Sequence, residues 1–519
     1  MRWWGLAMAG TLVAAVLVTG SPPAVAGGPP DNPIVRENRH PGTDRWNIPW
    51  PHHHITDDRN LNIKGYATKL SVHHGGHIGL RVSTALHEPY TVDVYRLGYY
   101  QGLGGRHMVR LGPFDGSPQP ACFTIRRTGT VTCPWHTSVL LDVPESWTSG
   151  VYFAVLTTAS KYQAEIPFTV RDNRAADVIY VSPVNTYQAY NNFPYDPPKK
   201  YGWNSGAHPL TGQSLYDYNS PVTPRYPDGK PGVKVSFDRP YSSEYGNPGN
   251  GGQTDFEPFT ISFLEKRGYD VTYTTDVDVD AHPGRLLRHA IVLVSGHSEY
   301  WSMRAYDGVY AARDHGVNLA FIASNEILWQ IRYESNAQGT PRRIVVGYKH
   351  FKPDPIKDPA KRTIYWRDLG RPEQELVGVM YPLNGYMDWG GQSLVPVHTD
   401  AWPFQGTGLQ SHVPVHGELV GYEIDSFNPR YPPPDAVWQV LLAKSPFTNF
   451  KGRRYVHNSS IYKAKSGALV FATGSMDWAW SLAPGGSSDG THNNVRHSLQ
   501  RLTVNVLNRM LQTSARRGA

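Results

Sequence analysis

The sequence is poor in cysteine, in charge and in long apolar runs, and each shortage removes a class of protein. Only two cysteines, Cys122 and Cys133, occur in 519 residues. They flank "FTIRRTGTVT", a strand-turn-strand pattern with Gly129 at the turn. In an oxidising compartment two such cysteines pair, which staples the hairpin and leaves no thiol for nucleophilic catalysis. The net charge of +7 is spread along the chain, with no cluster of Lys and Arg interleaved with aromatics, so nucleic acid is not an expected partner. Beyond the first residues no stretch is apolar for long enough to cross a bilayer, so no membrane span is expected in the mature chain. No low-complexity tract argues for disorder, and the many Gly, Pro, Tyr and Trp suit a rigid, loop-rich globular protein of two or three domains.

The apolar run at the start reads as an export signal. Arg2 precedes the apolar stretch Trp3 to Val18, and Ala24-Val25-Ala26 is a small-x-small cleavage site. Residues 1–26 are therefore expected to be a signal peptide and the mature protein to be secreted. No twin arginine and no lipid-attachment cysteine accompany it.

The mature chain divides near residue 172. Residues 34–172 hold short alternating runs such as "GHIGLRVST", "YTVDVYRLGYY" and "EIPFTVRD", separated by Gly, Pro, Ser or Asp. Such spacing without helical periodicity predicts an N-terminal β-sandwich. In residues 173–515 the runs become continuous: "VIYVSP", "VKVSF", "YDVTYTT", "AIVLVSG" and "VNLAFIAS". Continuous apolar strands are covered on both faces. Helical segments lie between them, one closing on Gly268 and another on Gly316. The alternation predicts a doubly wound, mostly parallel α/β domain, with a last helix near 493–512 packed on it.

In such sheets ligands gather beyond the carboxyl ends of the strands. Three predicted strands end in chemically loaded loops: "VNTYQAYNNF" from Val184, "HSEYWS" from His297, and "NEILWQIRYE" from Asn325. A serine nucleophile at Ser298 would need a glycine at position 300 to complete a G-x-S-x-G elbow, and Tyr300 stands there. Ser298 is read instead as a helix N-cap. Tyr187, Tyr190 and Tyr300 supply hard phenolic oxygens that, with a carboxylate, suit a hard Lewis-acid metal, although buried tyrosines more often serve packing. The histidines at 52–54 and at 73, 74 and 77 fall in the sandwich, away from these loops and without zinc spacing.

With these residues in view, the chain resembles the N,N-dimethylformamidase large (beta) subunit family. The resemblance runs in order through "SPVNTYQAYNNF", "FLEKRGYDVTYTTDVDVD", "VLVSGHSEYWS", "RPEQELVG" and "FATGSMDWAWSL", and through "YRLGYYQGLGGR" in the sandwich. It implies a class I glutamine-amidotransferase-like fold without the nucleophilic cysteine, and one ferric iron per chain held by two tyrosines and a carboxylate. Carried onto this sequence, those ligands are Tyr190, Tyr300 and Glu373. Tyr187 stands where relatives often have Trp, and Ser298 where they often have Asp.

The activity so implied is hydrolysis of the carbon–nitrogen bond of a small-molecule amide, with a metal-activated water attacking the carbonyl. His297, Glu299 and Glu326 are candidates for proton transfer, and Asn325 and Asp477 for substrate binding. The characterised amidase of the family is intracellular and works with a small partner subunit, so an exported relative need not keep the reaction or that partner, and its oligomeric state stays open. The alternative is a non-catalytic secreted module whose aromatic loops recognise carbohydrate or a cell-surface ligand.

Overall fold

A computed structural model describes residues 32–194, 214–216, 231–243, 249–350, 352–387, 391–484 and 495–514. The stretch 1–26, read as an export signal, lies outside them. No helix among the described residues is long and apolar enough to cross a membrane.

The chain has mixed α and β content distributed over several sheets. In its first part, the strands His54–Ile55, Tyr162–Arg171, Gly150–Thr158, Pro89–Leu97 and Gly105–Asp115 lie side by side in that order, with Ser71–His73 also along Tyr162–Arg171. The strands Ile63–Ala67, His77–Thr84 and Val139–Asp142 form a second, three-stranded sheet. Ile63, Leu80 and Leu141 from the smaller sheet meet Val92, Ile166 and Phe168 from the larger one in a shared apolar core. The hairpin Phe123–Ile125 and Thr130–Thr132 is antiparallel, and a disulfide joins Cys122 to Cys133 across it.

Gly150–Thr158 shows how this part meets the rest. All nine of its residues are buried. Successive side chains point to opposite faces of a strand. Tyr152, Ala154 and Leu156 accordingly enter the core between the two sheets, while Val151, Phe153 and Val155 join Tyr180, Ile261, Leu264 and Val271 in a cluster shared with the later part of the chain. An ion pair is buried at the same junction, where both side chains of Arg96 and Glu265 are fully enclosed.

The later part is organised by a seven-stranded sheet in the order Val271–Thr275, Val178–Ser182, Ile291–His297, Asn318–Ser324, Leu469–Ala472, Arg454–Ala464, Ala436–Thr448. Its first five strands pair in parallel and its last two are antiparallel. The continuous apolar runs are the strands buried on both faces. The run "VKVSF" is an exception: Lys234–Ser236 pairs antiparallel with Ile344–Val346 in a separate four-stranded sheet. Helices Glu257–Lys266 and Met303–Asp314 end just before Gly268 and Gly316, both in the left-handed region. The last helix, His497–Thr513, buries Leu499, Leu502, Val506 and Met510.

Candidate functional site

The strands Val178–Ser182, Ile291–His297 and Asn318–Ser324 end side by side, and their carboxyl ends build the site. Beyond the first, Pro183 caps the seven-residue helix Val184–Tyr190, which carries Tyr187 and Tyr190. Beyond the second, Gly296 takes a φ of +86°, and a Cβ there would stand 3.3 Å from the Cβ of Phe256 and 3.6 Å from the Tyr187 hydroxyl. Glycine therefore allows the chain to leave the strand and present His297, Ser298 and Glu299 in succession. Tyr300–Ser302 then forms a short strand parallel to Trp329–Ile331. The helix N-cap is Ser302, which accepts from the Ala305 amide at 3.1 Å. Ser298 is not the cap, because the chain stays extended through residue 302; its hydroxyl accepts from the Trp301 indole at 2.9 Å.

Glu299 is the centre of the arrangement. Its carboxylate accepts from Tyr190 at 3.0 Å, from Tyr216 at 2.7 and 2.8 Å, and from the Trp329 indole at 2.8 Å. Its amide donates to the Thr186 hydroxyl at 3.0 Å, which fixes the backbone beneath it. The Tyr190 and Tyr216 rings stack with centroids 4.2 Å apart. Tyr300 donates to the Tyr216 hydroxyl, and the Lys349 ammonium donates to Tyr300 at 2.9 Å. His297 Nε2 lies 3.1 Å from Glu423 and 3.4 Å from Glu299. Asn325 Nδ2 donates to Glu423 at 2.9 Å, while Asn325 Oδ1 is buried without a partner.

The charges are held tightly. Burial disfavours the charged forms of Tyr190, Tyr216 and Tyr300, and the Glu299 charge adds to it, so all three hydroxyls stay protonated well above the usual phenol range. Burial also acts against charge on Glu299, but the His297 and Lys349 cations and the Tyr216 hydroxyl hold its carboxyl below the ordinary range. Burial lowers the His297 pKa, yet the Glu423 and Glu299 carboxylates outweigh it and raise that group to about 10.

Each of the three residues carried over as metal ligands has a hydrogen-bond partner outside the set. Tyr190 and Tyr300 lie in the cluster, but Glu373 is bound by the Arg367 guanidinium, and neither tyrosine hydroxyl bonds to it. Arg367, six residues earlier in the chain, takes the carboxylate. Tyr187 donates to Glu257 at 2.8 Å rather than to Glu299. Glu326 is buried with both carboxyl oxygens unpartnered, between Asn325 and Ile327, which both take positive φ. Burial, reinforced by Asp425, raises its pKa well above the ordinary carboxyl value and so favours the neutral form. Asp477 accepts from the Tyr422 amide at 2.8 Å and makes no bond to the Glu299 cluster. The histidines at 52–54, 73, 74 and 77 sit in the first part of the chain, away from these groups.

Sequence reasoning missed Tyr216, Glu423 and Lys349. Lys349 follows the short apolar strand Ile344–Val346, which was not read as one of the loaded strand ends, and only the folded chain brings the three to Glu299. Among the described residues no group of three or more His, Cys, Asp and Glu side chains is arranged to hold a metal ion. An open cavity of about 450 Å³ lined by His398, Asp400 and Gln439 involves none of these residues.

The family model described as "N,N-dimethylformamidase beta subunit-like, C-terminal" matches residues 91–494. The chain belongs to this family. At a coarse level that makes it a dimethylformamidase-like hydrolase. No curated protein sequence matches it. Among solved structures, a variant of the superoxide reductase (neelaredoxin) from Ignicoccus hospitalis is 15% identical, covering 21% of this chain and 82% of that one at a TM-score of 0.14. A Paenibacillus sp. cycloisomaltooligosaccharide glucanotransferase is 8% identical, covering 53% of this chain and 56% of that one at a TM-score of 0.16. At such TM-scores these likenesses establish neither a shared fold nor a shared activity.

Proposed function

We propose that the chain is an exported hydrolase that cleaves the carbon–nitrogen bond of a small amide at the Glu299 cluster, using one ferric iron held by Tyr190, Tyr216 and Glu299. The observation that carries this reading is the convergence of two half-buried phenols on one carboxylate beside a histidine. Oxygens bound to one hard cation at about 2.0–2.2 Å and at right angles stand about 3 Å apart. The spacings of 2.7–3.0 Å around Glu299 fit that demand, and the donor set is hard and anionic once the phenols lose their protons. When bound, the iron supplies a Lewis acid for the amide carbonyl.

The remaining roles belong to this chain's own groups. His297 carries a proton on Nε2, between Glu423 and Glu299, where it can be handed to the departing amine nitrogen. Glu423 orients that ring and is itself held by Asn325. Asn325 Oδ1, lacking a partner, is an acceptor left for a ligand. Tyr300, Trp329 and Tyr381 are buried in the apolar cluster against which Tyr190 and Tyr216 pack. Export is supported by the N-terminal pattern and by the disulfide, which suits an oxidising compartment.

The test is amine release from a panel of small amides, N,N-dimethylformamide among them, by iron-loaded protein. His297→Asn and Glu423→Gln should keep the metal and lower kcat by about 10²–10⁴-fold. Loaded protein that hydrolyses no amide in the panel, or a His297→Asn variant at full rate, would overturn the assignment.

A further inference from the structure

We infer that the junction between the two parts of the chain carries a binding site for a phosphate dianion, held by Arg171, Arg285 and Arg288. The site shares no residue with the Glu299 cluster and does not depend on the iron reading. Arg171 ends the strand Tyr162–Arg171, and Asp172, Asn173 and Arg174 follow it into the later part of the chain. The short 3₁₀ helix Pro283–Arg288, which leads into the strand Ile291–His297, lies against them, with Arg288 Nη2 donating to the Asn173 carbonyl at 2.8 Å. Both segments line one small cavity of about 20 Å³. On that measure a single water needs about 10–15 Å³, so the space takes one compact group and not a sugar ring.

The charges around the cavity do not balance. Arg174 is satisfied: it donates to Asp270 and, at 2.9 Å, to the Val271 carbonyl. Asp172 lies 3.4 Å from Arg174 and accepts from the Thr272 hydroxyl at 2.6 Å. Arg171 reaches the Ser71 hydroxyl at 2.8 Å and Asp278 at 3.3 Å, both through Nε. Among the described residues neither Arg285 nor Arg288 makes an ion pair. Side chains three apart in a 3₁₀ helix eclipse one another, so the two guanidinium groups stand on the same side of it. Burial and the Arg171 charge push the Arg285 pKa below the ordinary guanidinium value; Arg288 adds to this and Asp278 opposes it. Two positive charges thus meet at one cavity without a counter-charge, and a single doubly charged anion neutralises both. Phosphate with one ester bond or none carries about two negative charges at neutral pH and offers at least three strong acceptor oxygens, which the planar fork of arginine meets two at a time. Because its cations come from both parts of the chain, the bound anion also ties the junction.

The experiment titrates inorganic phosphate into the purified full chain by calorimetry at constant ionic strength, and follows the melting temperature in parallel. The variants are Arg285→Gln and Arg288→Gln, with Arg126→Gln, in the exposed turn of the disulfide-bonded hairpin, as the control. Arg288 is exposed and Arg285 partly so, which spares the fold in both. One phosphate per wild-type chain is expected, with a rise in melting temperature that follows its occupancy. Each pocket variant should weaken binding by about 10–100-fold, and the control should not. Glycerol phosphate, a monoester, and dimethyl phosphate, a diester with one charge, are then compared. A monoester bound as well as the free ion makes the group the end of a larger molecule, whereas binding of the free ion alone makes that ion the ligand. The diester should bind more weakly by about tenfold or more, and a diester bound as well as phosphate would overturn the charge match. A wild type that takes up no phosphate at millimolar concentration would overturn the site. So would binding undiminished in both pocket variants, as expected of phosphate held elsewhere on the protein.

Discussion

Replacing Glu265 by Gln should be among the most damaging single changes outside the site. Glu265 is fully buried and accepts from Arg96 at 2.7 and 3.1 Å, from Tyr273 at 2.7 Å and from Asn38 at 2.8 Å. These donors come from both parts of the chain, so the carboxylate ties the junction together. The Gln variant keeps the shape but removes the carboxylate bonded to the Arg96 guanidinium, leaving only the Glu37 charge, which makes no hydrogen bond to it. Arg96 keeps hydrogen bonds to the carbonyls of Leu97 and Ser149, each at 2.9 Å, and these do not neutralise it. Removing one partner of a buried pair costs about 3–5 kcal/mol. Equilibrium urea denaturation followed by tryptophan fluorescence should show a loss of that size. Replacing both partners, as Arg96→Met with Glu265→Leu, should recover part of it, because no unpaired charge remains. A Glu265→Gln variant within about 0.5 kcal/mol of wild type would refute the idea that the ion pair holds the junction.

Acid sensitivity should be traceable in part to His457, whose ring is fully buried between the Ser445 hydroxyl at 3.1 Å and the Thr473 carbonyl at 2.9 Å. Burial depresses it to about 4 from 6.5, so the folded state declines a proton that the unfolded state takes up. Its contribution is fully present above pH 6.5 and falls away as the pH drops toward 4, about 3 kcal/mol in all. Glu165 and Asp425, both raised by burial to about 8, act with the opposite sign, so the readout is the difference between wild type and His457→Gln across that range. Identical pH slopes in the two would contradict it. Gly296→Ala should destabilise the fold by about 1–2 kcal/mol, since an L side chain resists positive φ and would press on Phe256. A variant as stable as wild type in urea would show that the strand end is not constrained as described.

How much of this was legible in the sequence depended on local signals. Val178–Ser182, Val271–Thr275, Ile291–His297 and Asn318–Ser324 were readable because strands buried on both faces are continuously apolar. Tyr190 and Glu299 stood at the ends of such strands and were visible for that reason. Tyr216 was not, because its surroundings are rich in Gly, Pro and Tyr and carry no period. Glu423 follows "HGELVGY", a polar and irregular stretch. Glu373 was drawn from a resemblance of motifs, which gives residue identity but not the position of Arg367. The cluster shared across the junction near residue 172 had a local signal too, since Val151 to Leu156 is a continuous apolar run, but grouping it with the alternating strands of the first part hid that both of its faces are covered.

The iron content and visible spectrum of the purified, iron-reconstituted chain test the central claim most directly, with Tyr216→Phe as the decisive variant. One iron per wild-type chain with a phenolate charge-transfer band is expected, and loss of both in Tyr216→Phe. Tyr187→Phe and Glu373→Gln should keep the metal, because their side chains are engaged with Glu257 and Arg367. Iron bound undiminished by Tyr216→Phe, or a colourless wild type that takes up none, would contradict a centre built on Tyr190, Tyr216 and Glu299.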